Sequence, residues 1–150
     1  MKKFLSAIAW MLASAAGAAH GGSVVFGAPA NIATDLRPGG IVVGDFNNDG
    51  KEDIAVTNFG DNNISVLIGN GDGTFAPAKA YAVGTLPRFV AIADIDGDGA
   101  LDLAVTSNGS NSVAVLKGNG QGVFGNAITF ATGATPNDVR AANLNGDGSR

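Results

Sequence analysis

Nine residues, 94–102, read DIDGDGALD and place oxygen side chains at the first, third, fifth and ninth positions: Asp94, Asp96, Asp98 and Asp102. Gly99 holds the sixth position, where a loop curling round an ion needs a backbone free to adopt positive φ. Ala100, at the seventh, has no ligand side chain and would offer its carbonyl. Four carboxylates brought this close repel one another unless a cation lies among them. Hard oxygen donors on a flexible loop suit Ca²⁺ better than Mg²⁺, which takes fewer protein ligands in stricter octahedral geometry. The chemistry written here is cation binding.

The pattern recurs at a fixed interval. Residues 45–53, DFNNDGKED, put Asp45, Asn47, Asp49, Gly50 and Asp53 in register with it. Residues 143–150, NLNGDGSR, supply Asn143, Asn145, Asp147 and Gly148, with Ser149 at the carbonyl position. The spacing is 49 residues both times. The third copy is the weakest as a site: Asn143 replaces the first aspartate, and its ninth position lies beyond Arg150. An EF-hand or dockerin begins with the same six residues, but it needs an acidic ligand at position twelve and helices alongside. Position twelve here is Val56 or Val105. The plain alternative is a solvated acidic turn, which four carboxylates at ligand spacing disfavour.

The repeat extends well beyond the loops and identifies the elements that must hold them. Phe26, Phe75 and Phe124 align at 49 residues, as do Pro38, Pro87 and Pro136, and Ile41, Val90 and Val139. DIAVTN (53–58) matches DLAVTS (102–107), and ISVLIGNGDGTF (64–75) matches VAVLKGNGQGVF (113–124). A period of 40 to 50 residues with several short strands per unit predicts β-propeller blades rather than a helical array. In the clearest unit, β-branched runs bounded by turn residues predict strands at about 88–94, 102–107, 112–118 and 127–132. The metal loop then joins strands one and two of a four-stranded meander. Ile54, Val56, Ile64, Val66 and Ile68 alternate with smaller or polar residues, as a sheet packed against neighbours requires. The aligned phenylalanines read as packing residues between blades.

These loops and signatures resemble FG-GAP/VCBS repeats, the units of integrin alpha-subunit-like β-propellers and of many bacterial secreted proteins. The resemblance covers nearly everything from about residue 22 to 150. It implies an all-β propeller of about seven blades, with calcium in each strand one–two hairpin. Carried across, the ligands are Asp45, Asn47, Asp49, the Lys51 carbonyl and Asp53, then Asp94, Asp96, Asp98, the Ala100 carbonyl and Asp102. About two and a half blades are present, too few for a closed ring, so either several copies assemble or the protein continues beyond Arg150. We expect the latter, because the sequence breaks off within a ligand loop.

The domain layout expected is a signal peptide at 1–19, an outer strand at 22–35, repeats at 36–84 and 85–133, and the start of another at 134–150. Lys2 and Lys3, an apolar run from Phe4 to about Leu12, and small residues at Ala16, Gly17, Ala18 and Ala19 fit a cleavable bacterial-type leader. That run is too short to span a bilayer comfortably, so the expected product is secreted, with no membrane span after cleavage. Net charge is −4, and eight of the 13 acidic residues occupy ligand positions in the three loops, so the acidity is largely ligand charge. Nothing makes a basic face for nucleic acid.

With no cysteine and only His20 as histidine, no nucleophile–base pair can be assembled, and we expect no enzyme activity from these blades. GNGDG at 69–73 lacks the spacing of a dinucleotide fingerprint and reads as a tight turn. In a four-stranded meander, connections one–two and three–four share one end. Calcium would occupy that end, leaving Phe59, Asp61, Asn62, Leu86, Arg88 and Ser110 on the other for an extracellular protein or glycan partner. Sugar stacking has little to work with, since the mature chain has no tryptophan and one tyrosine, Tyr81. The expected function is an exported, calcium-stabilised binding or adhesion module. The alternatives are the non-catalytic propeller of a larger secreted enzyme, or a structural spacer.

Overall fold

Among the described residues, short β-branched runs, each closed by glycine, asparagine or aspartate, leave no stretch long enough for a helix and return the chain on itself every few residues. The structure, a computed structural model, describes residues 34–142. The expected leader, nearly all of the expected outer strand at 22–35, and the third loop with Asn143, Asn145, Asp147 and Ser149 lie outside the described residues.

Eight strands form two sheets. The first contains β1 (Pro38–Gly44), β2 (Asp53–Asn58), β3 (Asn63–Leu67) and β4 (Lys79–Ala82). The second contains β5 (Pro87–Ala93), β6 (Asp102–Ser107), β7 (Ser112–Leu116) and β8 (Ile128–Ala131). Both are antiparallel meanders in sequence order. They have the form of propeller blades, and two blades do not close a ring. The four strands expected in the clearest unit are all present, with ends moved by one or two residues where the ladder runs out. Val56 and Val105 sit inside β2 and β6, which removes the EF-hand reading.

The repeat is visible in backbone angles as well as in pairing. Both ladders break at the same register, between Pro38 and Ile41 and between Pro87 and Val90. Asn62 and Asn111, 49 residues apart, both take positive φ (57° and 51°) in the turn joining the second and third strands. Asparagine tolerates this conformation because its short amide can bond locally. Here the amide oxygen reaches further: Asn62 accepts from the Leu86 N–H at 2.9 Å and Asn111 from the Thr135 N–H at 2.9 Å. Each therefore clamps the connector leaving its own blade. Leu86 and Thr135, each ahead of a proline, are themselves held at positive φ (53° and 52°), a strained state for such residues.

The blades pack face to face. Phe46, Ile64, Val66 and Tyr81 from the first meet Val90, Leu103, Leu116 and Phe124 from the second in one buried cluster. Phe124 makes edge-on contacts with Phe46 and Tyr81, at centroid distances of 5.5 and 5.8 Å. It is therefore a between-blade packing residue, as the alignment predicted. Register mates differ according to what covers them: Val90 is buried beneath the first blade, whereas Ile41 is 48% exposed. Near β1 the backbones themselves touch, since a Cβ on Gly40 would lie 2.6 Å from the Arg88 carbonyl oxygen.

One polar bond crosses the junction inside this cluster. The Phe124 N–H donates to the Tyr81 hydroxyl at 3.1 Å in a buried setting. Tyr81→Phe removes the acceptor and leaves that N–H without a partner, so stability should fall by about 1–2 kcal/mol. Urea denaturation would measure this, and an unchanged midpoint would show that water replaces the hydroxyl.

Candidate metal centre

The loops between first and second strands are built by their own aspartates. In the second loop Asp94 accepts from three backbone N–H groups: Gly97 at 2.7 Å, Asp98 at 3.1 Å and Gly99 at 2.9 Å. Gly97 and Gly99 take positive φ (79° and 86°), which the sharp curl demands. In the first loop Asp45 accepts from Asp49 at 3.1 Å and Gly50 at 2.7 Å. Asn47 accepts a second bond from the Asp49 N–H at 3.1 Å. At these positions the two loops adopt the same curl, although their side chains differ.

The ninth residue does something the sequence did not reveal. Asp102 is fully buried. One oxygen accepts from Ile95 N–H at 2.9 Å, at the start of its loop, and the other from Gly118 N–H at 2.8 Å, in the next hairpin. Asp53 repeats this with Phe46 N–H at 2.8 Å and Gly69 N–H at 2.7 Å. Each ninth aspartate thus staples the strand one–two loop to the strand three–four turn. A carboxylate has about four lone-pair sites, so two N–H bonds leave room for a cation. The signal was present in the recurrence of G-N-G at 69–71 and 118–120, which carries the second donor.

One oxygen from each of Asp94, Asp96 and Asp102 lies within 4.8 Å of the others. Asp98 is placed differently: its Oδ1 accepts from the Ala100 N–H at 2.8 Å, and it is not part of that triad. A single ammonium, Lys117 Nζ, reaches Asp96 at 2.6 Å. Three carboxylates against one ammonium leave two negative charges, which a divalent cation would balance. The Lys117 hydrogen bond is the main influence holding the Asp96 carboxyl below its ordinary range, and the same contact raises the Lys117 amine. The pair therefore contributes at neutral pH. It is lost as pH falls through the lowered carboxyl value or rises through the raised amine value.

In the first loop the lysine comes from within: Lys51 bonds Asp49 at 3.2 Å. The position aligned with Lys117 is Ile68, and the one aligned with Lys51 is Ala100. The two loops share a fold but not a charge arrangement. The first is also tied to the second blade, through Asn48 Nδ2 to the Gly120 carbonyl at 3.3 Å and Gly122 N–H to the Phe46 carbonyl at 2.9 Å.

At the opposite end, several of the residues expected to face a partner instead hold connectors. Asp61 accepts from the Leu36 N–H, Asn62 from Leu86, and Ser110 from Thr85. Of the others, Leu86 is exposed, and Phe59 and Arg88 line a recess.

The FG-GAP-like repeat family matches residues 45–105 and, overlapping, 94–149. The chain belongs to this family. No curated protein and no solved structure gives a significant match. The two FG-GAP matches begin at Asp45 and Asp94, the first aspartates of the two described loops, so the family unit is in phase with the candidate metal centre. Repeats of this family build propeller-type binding or structural modules, which agrees with the two meanders described above.

Proposed function

We propose that the chain is an exported β-propeller repeat module that binds a partner outside the cell, with calcium stabilising the hairpin loops. The observation that carries the reading is the triad of Asp94, Asp96 and Asp102 on a loop whose backbone is already curled. Hard carboxylate donors suit calcium, and several of them on one loop suit it better than magnesium, which keeps more of its waters. Asp94, Asp96, Asp98 and Asp102 would hold it in the second loop, with Asp45, Asn47, Asp49 and Asp53 in the first. The Lys51 and Ala100 carbonyls occupy the seventh positions. Bound calcium supplies charge neutralisation and a cross-link in a chain that has no cysteine.

Among the described residues no helix is long and apolar enough to cross a membrane. The leader reading of 1–19 supplies the route of export, and we read the blades as non-catalytic. Affinity on the order of 10⁻⁴–10⁻³ M suits an extracellular module. At a hundredfold excess over such a constant, each site would add roughly 2.7 kcal/mol. Thermal melts of wild type, Asp96→Ala and Asp98→Ala, with calcium and with chelator, test this. The wild-type midpoint should rise with calcium and both variants should respond less. An equal response in all three would overturn the assignment.

The lysine beside the second loop gives a further expected result. Lys117→Ile, which copies the first repeat, should tighten calcium binding at the second loop by roughly three- to tenfold. It removes an ammonium that competes for Asp96 at 2.6 Å. Titration calorimetry reads this directly, and weaker or unaltered binding would show that the ammonium does not compete.

A further inference from the structure

We propose that the recess between the starts of β1 and β5 binds the carboxylate side chains of an acidic peptide, held by Arg37 and Arg88. The proposal rests on the reading of the chain as a binding module, and it gives the ligand chemistry of the end opposite the metal loops. The recess has a volume of about 400 Å³ and is walled by Pro38, Pro87, Phe59 and Phe89. That is the lower part of the range typical of ligand sites, with room for one or two side chains.

Both guanidinium groups are positioned, yet neither is neutralised by a carboxylate among the described residues. Arg37 stands over the Phe59 ring at 5.8 Å, and Arg88 donates to the Asn137 side-chain oxygen at 3.2 Å. The ion pairs among the described residues are Lys51–Asp49, Lys117–Asp96 and Arg140–Asp138, so neither arginine is paired with a carboxylate there. Two positive charges beside one recess, without a carboxylate partner among the described residues, stand out in a chain of net charge −4. A guanidinium presents a rigid planar fork that pairs two oxygens of a carboxylate at once.

Three features favour a peptide. The walls are proline and phenylalanine, which accommodate the methylenes of an acidic side chain but offer little to the hydroxyls of a sugar. The ladder is interrupted beside the recess in both sheets, between Pro38 and Ile41 and between Pro87 and Val90. Such irregularities re-aim side chains out of a ladder. The register mates of Arg88 are Gly39 and Asn137, so the arginine belongs to this junction alone and is not a recurring packing element.

The test uses an N-acetylated hexaglutamate peptide and titration calorimetry in calcium-containing buffer at low ionic strength. Wild type should bind, and Arg37→Gln or Arg88→Gln should each weaken binding roughly tenfold or more. Arg88→Lys should fall between, and added salt should weaken binding. Thermal midpoints in the variants equal to that of wild type in the same buffer show that they are folded. The proposal is overturned by no peptide binding, by binding indifferent to both arginines, or by preference for an oligogalacturonate over hexaglutamate. Arginine-dependent peptide binding in a protein whose melting ignores calcium would support the recess while removing the calcium reading, so the two can fail separately.

Discussion

Asp102→Ala should destabilise the protein by about 3–5 kcal/mol even in the presence of chelator. The side chain is fully buried, and its two oxygens accept from Ile95 and Gly118 N–H groups at 2.9 and 2.8 Å. Truncation breaks two charge-assisted bonds at once and leaves both donors without a partner. Losses of this size are a large part of the stability of an ordinary domain. Asp102→Asn keeps one acceptor oxygen but turns an NH₂ towards the other donor, so it should recover only part of the loss. With calcium present the gap between wild type and Asp102→Ala should widen, because the same carboxylate belongs to the candidate metal triad. Urea denaturation in chelator and in calcium separates the two roles. If wild type and Asp102→Ala unfolded at the same midpoint in chelator, the staple would have no energetic content and the aspartate would serve a cation alone.

Gly118→Ala carries the second largest expected effect, about 3 kcal/mol. A Cβ there would lie 2.1 Å from the Leu101 carbonyl oxygen, which is backbone and cannot swing away. Gly69 meets the Glu52 carbonyl oxygen at 2.2 Å in the same way. Neither glycine is among the residues of positive φ, so what each supplies is the absence of a side chain. The strand three–four turn must lie this close to the metal loop for Asp102 to reach the Gly118 N–H. Gly125→Ala is the control, since a Cβ there would lie 3.7 Å from the Lys117 carbonyl oxygen, an ordinary contact, and it should change stability by less than about 0.5 kcal/mol. Chemical denaturation of the two variants measures the difference. Equal stabilities would mean that the turn can retreat from Leu101 without cost.

Much of this architecture was legible in the sequence because the chain states it twice. The two copies of D-[IL]-A-V fixed β2 and β6, and the glycines flanking them fixed the turns, so strand identity and order followed from local chemistry. The candidate ligands were legible for the same reason: Asp94, Asp96 and Asp102 are spaced along a loop by a rule of coordination. The phenylalanine alignment foretold that Phe124 packs between blades, although not that Tyr81 would meet its N–H.

Other features were hidden because they depend on what the fold brings near. Lys117 lies 21 residues from Asp96 in the chain and 2.6 Å from it in space; its only sequence trace is that Ile68 occupies the matching position. Asp61, Asn62 and Ser110 looked like variable surface residues but proved to hold the connectors between strands or blades. For asparagine the identity at 62 and 111 was a usable signal, since this residue tolerates positive φ. For Asp61 and Ser110 the types differ between copies, and only geometry shows that both accept from a connector N–H. The meander placed Arg88 at this end, but its juxtaposition with Arg37 around a recess was hidden, because their register mates are not arginines and the recess exists only where two blades meet.

The most direct measurement is a calorimetric titration of the chelator-stripped chain with calcium, repeated with magnesium. Calcium should bind at two or more sites, with constants on the order of 10⁻⁴–10⁻³ M. Magnesium should bind far more weakly, and Asp94→Ala should abolish one calcium site. No heat of binding up to about 10 mM calcium, well above that range, or equal binding of both cations, would contradict the proposal that these hairpins are calcium loops.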